Sequence, residues 1–266
     1  MANNKLLVNE RTADIGNFMV GRLLPFRQKR QVGPFTFIDH MGPAVMGNGT
    51  YMDVDQHPHI GLSTLTYLFE GAIAHKDSIG SDVIVEAGDV GFMTGGRGVP
   101  HTERTPNHLR TEKTFNVHGY QIWVALPKEK EEMEPNFQFF KKEELPAWEE
   151  DGVQFRLAAG NAFGKSAPLQ GYSPLFMVDI YSEKEQTIQL KGRIEGEVAF
   201  VIVKGAIVDE AERIEAGQML ISKTNDECQI TLEAGTQLML FGGEPLEEEH
   251  YLLWNFVSHS KERLQH

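Results

Sequence analysis

Apolar and polar residues alternate in many short runs along the chain. These runs are rich in β-branched and aromatic residues, are bounded by turn formers, and include residues 63–69, 82–86, 120–126, 198–203 and 218–222. This pattern predicts β-strands. A helical period is visible only at residues 141–148 and from Ser258 onward. We therefore predict an all-β fold with short helices in a linker and at the C-terminus.

The order of strands and glycine turns occurs twice along the chain. Each copy shows a strand, a glycine turn, a strand, an Ala-Gly turn and another strand. The matching stretches are residues 67–73 with 201–207, and residues 85–90 with 214–219. Such a repeat predicts two copies of one β-barrel module, of the jelly-roll kind.

The repeat also predicts how the chain is divided. We place an N-terminal barrel at residues 1–134 and a C-terminal barrel at residues 135–266. A charged stretch that contains proline, around residues 127–150, joins them.

Composition excludes several classes of function. The net charge of −13 over 266 residues argues against direct binding to nucleic acid or to an anionic membrane. Cys228 is the only cysteine, so no intramolecular disulfide forms, and its alternation with Ile230 and Leu232 predicts a buried structural thiol. The N-terminus lacks the apolar core of a signal peptide, and no apolar run is long enough to span a bilayer. We expect a cytoplasmic protein.

Two short pairs carry the candidate chemistry. They are His57 with His59 and His101 with Glu103, each at a spacing of two residues. On a β-strand this spacing puts both side chains of a pair on one face. Two neighbouring strands would then direct three imidazoles and one carboxylate at one point, a donor set that suits a divalent first-row metal ion with positions open for substrate.

Each pair alone also has a simpler interpretation. Pro58 cannot donate to a ladder, so His57 and His59 would be surface residues of an edge strand. His101 and Glu103 would belong to a hydrogen-bonded turn after the glycine cluster at residues 95–98. Both pairs occur in one copy of the repeat, and this favours the metal site.

The second copy of the repeat lacks these residues. Counting from its glycine turns places Lys191, Arg193, Ile230 and Leu232 at the four ligand positions, and residues 187–235 contain no histidine. We therefore predict that the C-terminal barrel has no metal ligands.

The other histidines considered have no partner at ligand spacing, and we interpret His118 as a structural histidine. These residues are His75, His108, His118, His250, His259 and His266.

Several motifs resemble those of the pirin family, a branch of the cupin superfamily. They lie at residues 32–43, 57–62, 67–71, 88–103, 118–127, 240–245 and 254–257. The resemblance implies a bicupin fold with one metal ion, usually iron, in the N-terminal barrel. It assigns the ligands to His57, His59, His101 and Glu103. We expect iron(II), and manganese, cobalt, nickel, copper or zinc would also suit these donors.

Two functions follow from this resemblance. The first is a quercetin 2,3-dioxygenase type of oxidoreductase, which takes a small aromatic substrate and O2, with Glu103 as ligand and proton acceptor. The second is a metal- or redox-sensing regulator that binds a protein partner, either a transcription factor or a metabolic enzyme. Neither function involves direct contact with nucleic acid or membrane.

Overall fold

The structure, a computed structural model, describes residues 5–15, 18–209, 212–222 and 229–265. Regular structure in these ranges is almost entirely β-strand. It also includes three short 3-10 turns, at Asn107–Leu109, Lys128–Lys130 and Arg263–Gln265. No helix in the described ranges is long and apolar enough to cross a membrane.

The strands are numbered in chain order. The first twelve are β1 (Lys5–Asn9), β2 (Arg11–Asp14), β3 (Met19–Leu24), β4 (Phe35–Gly47), β5 (Asp53–His59), β6 (Leu62–Glu70), β7 (Ala72–Asp77), β8 (Asp82–Glu86), β9 (Val90–Thr94), β10 (Val99–Arg104), β11 (Thr114–Ala125) and β12 (Asn136–Phe140). The others are β13 (Ala147–Glu150), β14 (Val153–Ala162), β15 (Lys165–Ser166), β16 (Leu175–Ser182), β17 (Gln186–Gln189), β18 (Glu197–Lys204), β19 (Ala206–Asp209), β20 (Glu212–Glu215), β21 (Gln218–Ser222), β22 (Gln229–Leu232), β23 (Thr236–Gly243), β24 (Tyr251–Leu253) and β25 (Phe256–Ser258).

The chain forms two compact units, each assembled from separate segments. The N-terminal unit comprises Arg11–Pro25, Phe35–Lys142 and Glu247–His266, and the C-terminal unit comprises Met1–Glu10, Phe26–Pro34 and Glu143–Leu246. A single division after residue 134 does not describe this arrangement. Strand β1 pairs with β21 in the C-terminal unit, and the β24–β25 hairpin is part of the N-terminal unit.

The two units have the same antiparallel topology. The N-terminal unit contains a seven-stranded sheet, in the order β12-β9-β6-β11-β4-β3-β2, and a four-stranded sheet, β5-β10-β7-β8. The C-terminal unit repeats the central order as β21-β18-β23-β16 and the small sheet as β17-β22-β19-β20. The predictions of an all-β fold and of a repeated barrel are confirmed.

Aliphatic side chains fill the inside of the C-terminal unit at the positions equivalent to the predicted ligands of the other unit. Ile188 of β17 pairs with Ile230 of β22, as His57 pairs with His101 between β5 and β10. The inward positions are Ile188, Leu190, Ile230 and Leu232, all of them buried in one hydrophobic core.

Two of the four positions predicted by counting are therefore wrong. Lys191 and Arg193 lie in the turn after β17, about three residues beyond the true equivalents. The connection before β18 differs in length from the one before β6, and counting back from a glycine turn cannot detect this. Ile230 and Leu232 are correctly placed.

The helix predicted at residues 141–148 is also wrong. The chain forms turns there and enters β13 at Ala147. Pro146 lacks the N–H that a helix interior requires. Trp148 instead stacks on Phe155, with ring centroids 5.0 Å apart and planes 4° from parallel.

In the part of the chain that the structure describes, helical residues form single 3-10 turns only. The linker has one 3-10 turn at Lys128–Lys130, and the segment after Ser258 has another at Arg263–Gln265. The predictions for Cys228 and His266 concern residues outside the described ranges.

Candidate metal centre

The four predicted ligands lie on two adjacent strands of the N-terminal unit. β5 is an edge strand of the four-stranded sheet, which explains why Pro58 is tolerated there. His101 of β10 pairs directly with His57, and the ladder has a bulge between His101 and Glu103. His59 and His101 are each only 1% exposed. Their imidazoles therefore project into the barrel.

A glycine turn lets β10 approach β5 closely. A Cβ atom at Gly95 would lie 2.8 Å from the carbonyl oxygen of His59, and Gly96 has a φ of +51°. The N–H of Gly61 donates to the carbonyl of Gly96 at 2.9 Å. This turn therefore fixes the chain after His59 beside the chain that leads to His101.

Three of the predicted ligands converge. The candidate ligand atoms of His57, His59 and His101 all lie within 4.8 Å of one another. Nε2 of His57 is 2.9 Å from Nε2 of His101. Nδ1 of His57 donates to the carbonyl of Asp55 at 2.7 Å, which leaves a lone pair on its Nε2.

All three imidazoles are neutral near pH 7. Burial lowers the pKa of each ring below its ordinary value, and for His59 the pKa falls to about 3. For His59 and His101, neighbouring imidazoles lower the pKa further. Neutral rings present lone pairs, and only in that form does histidine bind a metal ion.

Glu103 lies in a neighbouring group of donors. This group consists of His75, His101 and Glu103, so it shares His101 with the first group. Burial raises the pKa of Glu103 to about 7, against the effect of hydrogen bonds from Thr66 and Gln121. A bound cation would favour the carboxylate form.

The donors present fit a divalent transition-metal ion. Two nitrogens bound at about 2.1 Å and at right angles are separated by about 3.0 Å, close to the 2.9 Å between His57 and His101. Several neutral imidazoles and one carboxylate match ions of the iron-to-zinc series. The residues that would hold the ion are His57, His59, His101 and Glu103.

His75 also lies beside these donors, although its spacing was not predicted to matter. This residue is buried on β7, and its Nδ1 lies 3.3 Å from Nδ1 of His101. Asp77 follows at the same spacing of two residues that identified the other pairs. A search for His-x-Asp as well as His-x-His and His-x-Glu would have found it.

The remaining described histidines lie in other environments. His118 is buried, and its Nε2 is 2.9 Å from Nε2 of His40, as expected for a structural histidine. His250 and His259 contact the carboxylate of Glu131. His108 is exposed in a 3-10 turn.

A cavity of about 750 Å³ opens beside the candidate ligands. His57, His59 and Glu103 form part of its wall. Its volume lies in the range typical of sites for small organic ligands. Most of the remaining wall is apolar, and it includes Ile15, Val20, Phe37, Met41, Met52, Val54, Trp123, Leu252 and Trp254.

A column of flat groups extends along this cavity from His59. Trp123 and His59 meet edge to face with centroids 4.9 Å apart, and Phe37 stacks on Trp123 at 4.0 Å. The guanidinium of Arg22 lies 4.5 Å from the centroid of Phe37. The column ends in a pair of hydrogen bonds, both 2.8 Å, from Arg22 to Asp39. Burial raises the pKa of Asp39, and the hydrogen bond from Arg22 opposes that rise.

The fold and the site together define a class. Two antiparallel barrels of the same topology, the first with a histidine cluster inside, constitute a bicupin. The family model named Pirin matches residues 17–124, and the model for the pirin C-terminal cupin domain matches residues 177–266. The chain belongs to the pirin family.

Individual relatives agree with this assignment. A pirin-like protein of Caulobacter vibrioides is 44% identical over 263 residues, which cover 98% of this chain and 90% of the relative. A crystal structure of quercetin 2,3-dioxygenase from Acinetobacter baumannii has a TM-score of 0.90 at 33% identity, over 98% of this chain and 86% of that one. The bacterial pirin YhhW of Escherichia coli, solved in complex with nickel(II), has a TM-score of 0.69 at 20% identity, over 91% and 100% of the two chains, which is a likeness of fold.

Proposed function

We propose that this pirin-family protein is a metal-dependent dioxygenase of the quercetin 2,3-dioxygenase type, acting with iron(II) on flavonol-like aromatic substrates. The observation that carries the proposal is the cavity beside the histidine cluster, with its flat aromatic wall. The name of the related Acinetobacter baumannii structure supports the same reaction.

The cavity wall suits a planar, hydroxylated ring system. A ring bound in the cavity would bury apolar surface against its aromatic lining residues, which include Phe37, Trp123 and Trp254. Its oxygens would then face His57 and Glu103 at one end of the cavity. At the other end, the pair formed by Arg22 and Asp39 offers both donors and acceptors to remote hydroxyl groups.

The residues at the end of the cavity that holds the candidate ligands would ionise the hydroxyl group of the substrate. A bound metal ion supplies Lewis acidity, which favours the ionised form of an aromatic hydroxyl. The carboxylate of Glu103 accepts the proton of that hydroxyl, because it is the only acidic side chain among the four ligands. The apolar wall limits the access of bulk water to the reacting ring.

The overall reaction balances without an external reductant. Both atoms of O2 enter the organic product, one on each of the two carbons that lose their bond to the carbon between them, and the CO keeps the oxygen of the substrate hydroxyl. Two carbon–carbon bonds of the oxygen heterocycle break, and the carbon between them leaves as CO. All electrons that reduce O2 come from the flavonol, so the substrate and O2 are the only reactants that the site must admit.

The direct test is an assay on protein purified without oxygen. We expect metal analysis to find iron, and flavonol absorbance to fall when air is admitted, with one CO released for each flavonol consumed. A chelator should stop the reaction. Metal-loaded protein that consumes none of several flavonols would contradict the proposal and favour a regulator that binds a protein partner.

The role of Glu103 is tested separately by the substitution Glu103→Gln. The amide keeps the shape of the side chain, but it does not take up a proton near pH 7. We therefore expect kcat to fall by about 10²-fold. Turnover is measured at saturating metal, with bound metal quantified in each sample. The control is Glu70→Gln, an exposed glutamate on β6. Wild-type turnover by metal-loaded Glu103→Gln would refute the assigned role.

A further inference from the structure

Strand β7 places a histidine and an aspartate beside the ligands of β10. His75 pairs with Glu103 across the two strands, and Asp77 pairs with His101. Because His75 and Asp77 are two residues apart, both side chains lie on the same face of β7. The two side chains are 4% and 0% exposed, so their hydrogen bonds form away from water.

These side chains form a chain of hydrogen bonds that ends at His101. Oδ2 of Asp77 lies 3.1 Å from Nε2 of His75, and Nδ1 of His75 lies 3.3 Å from Nδ1 of His101. The other carboxylate oxygen of Asp77 accepts the backbone N–H groups of Ile79 and Ser81, at 3.1 and 2.9 Å. The turn between β7 and β8 therefore holds the carboxylate in place.

The proton positions follow from the aspartate end of this chain. The carboxylate of Asp77 faces the backbone N–H groups of Ile79 and Ser81 and the ring of His75, so it acts as a group that only accepts. His75 must then donate from Nε2, and its Nδ1 is the acceptor that His101 needs when Nε2 of His101 is to bind the metal ion. His101 in turn donates from Nδ1, which leaves the lone pair of its Nε2 directed towards His57.

Packing fixes the orientation of the intermediate ring. Phe137 of β12 stacks on His75 with centroids 4.4 Å apart and planes 17° from parallel. Both ring nitrogens of His75 are engaged, one by Asp77 and one by His101. His75 therefore acts on the metal position through His101 rather than as a ligand itself.

We propose that His75 and Asp77 are positioning residues that fix the tautomer and the ring orientation of His101, and so strengthen its binding to the metal ion. The inference rests on the metal centre of the proposed function. Ligand histidines commonly donate their second N–H to a carboxylate or carbonyl, and loss of such a partner weakens metal binding by about 10–100-fold. In this chain a second histidine stands between the ligand and the carboxylate.

The substitution Asp77→Asn tests the inference because its effect on the protons is specific. The amide oxygen is expected to take the place of Oδ1, which accepts from Ile79 and Ser81. The amide NH₂ then faces His75 and donates to its Nε2. His75 is forced to carry its proton on Nδ1, and His101 is forced to carry its own on Nε2, from which a metal ion must displace it.

Two measurements follow the proton and the metal independently. In metal-free protein, ¹⁵N NMR of the histidine rings should show His101 protonated at Nδ1 in the wild type and at Nε2 in Asp77→Asn. Competition titration with cobalt(II) should show an affinity about 10–100-fold lower in the variant. His75→Gln, whose amide can donate to Asp77 and accept from His101, should keep both wild-type properties. Asp82→Asn is the control for charge, since Asp82 is an exposed partner of Lys76 on the next strand.

The outcomes separate this inference from the proposed function. An unchanged tautomer of His101 in Asp77→Asn, or an unchanged affinity for cobalt(II), would overturn the positioning role alone. Failure of the wild type to bind cobalt(II) would overturn the metal centre, and the inference with it. An equal loss of affinity in Asp82→Asn would show a general effect of charge and would also overturn it.

Discussion

Replacing His101 by alanine is expected to abolish metal binding and flavonol turnover together. The imidazole of His101 joins the two groups of donors, with Nε2 2.9 Å from His57 and Nδ1 3.3 Å from His75. Zinc-finger sites gain about 10–16 kcal/mol from four ligands. One ligand therefore corresponds to about 2.5–4 kcal/mol, and we expect affinity for cobalt(II) to fall by about 10²–10³-fold.

Thermal unfolding with and without chelator measures this loss without an assay of activity. An ion that binds only the folded state raises Tm, so a chelator should lower the Tm of the wild type. In His101→Ala, the chelator should have no effect. His108→Ala is the matched control, because His108 is exposed and lies apart from both groups of donors. A chelator-sensitive Tm in His101→Ala, with one ion per chain, would contradict the assigned role.

The candidate ligands were readable from sequence because strand geometry converts spacing into direction. A residue two positions away returns to the same face of a strand. His57 and His59 were therefore expected on one face of their strand, and His101 and Glu103 on one face of theirs. The sequence did not show that Glu103 would group with His75 and His101 rather than with all three predicted histidines.

The place of His75 beside the candidate ligands depends on its pairing with Glu103 of β10, which is 28 residues away in the sequence. Only the pairing of His75 with Glu103 shows that β7 lies next to the ligand strand. Spacing within β7 indicated a shared face for His75 and Asp77, but not which strand that face would meet. Contacts of this kind depend on sheet order, which the repeat predicted only in outline.

The repeat itself gave the architecture more securely than the division of the chain. Its glycine turns recur at Gly71 and Gly205, where φ is +84° and +76°. These positions are conformationally demanding and therefore visible in sequence. The sequence does not show that the N-terminal segment belongs to the C-terminal unit, or that the C-terminal segment belongs to the N-terminal unit. β1 joins the C-terminal unit through backbone pairing with β21. Backbone hydrogen bonds do not require particular residue types, so this pairing is not visible in the sequence.

The C-terminal segment contributes to the cavity through the β24–β25 hairpin. Leu252 and Trp254 of this hairpin lie in the cavity wall, and the N–H of Val257 donates to the carbonyl of Ile60 at 3.0 Å. A buried carboxylate, Glu131, holds the end of the hairpin. It accepts hydrogen bonds from the hydroxyl of Ser258 at 2.9 Å and from the backbone N–H of His259 at 2.7 Å.

Charge strengthens this anchor. His250 lies 3.4 Å from Glu131, and both of its ring nitrogens also lie 2.8 Å from backbone carbonyl oxygens. Two donated hydrogen bonds require a doubly protonated ring. Burial opposes this state, but Glu131 raises the pKa of His250 above its ordinary value. Burial would also raise the pKa of Glu131, yet the hydrogen bonds from His250, His259 and Ser258 lower it to about 2.

Glu131→Gln should therefore destabilise the protein by an amount that depends on pH. Removing one partner of a buried pair costs about 3–5 kcal/mol. The contribution of Glu131 is complete above the unfolded pKa of about 4.5 and is lost as pH falls towards 2. The contribution of His250 is complete below its unfolded pKa of about 6.5 and is lost as pH rises through its higher folded value. The difference in unfolding free energy should thus be largest between about pH 4.5 and 6.5.

Denaturant unfolding of wild type and variant across this pH range measures the difference in unfolding free energy. Hydrogen exchange at the backbone N–H of Val257 measures the local stability of the hairpin. The matched control is Glu132→Gln. Glu132 is exposed and pairs with Arg263 at 2.8 Å, and Glu131 lies 3.4 Å from the same guanidinium. An exposed pair contributes only about 0–1 kcal/mol, so the control should show a small difference. A constant difference between Glu131→Gln and wild type from pH 3 to 9 would show that Glu131 acts by packing, since only an ionised anchor loses its contribution on both sides of the window.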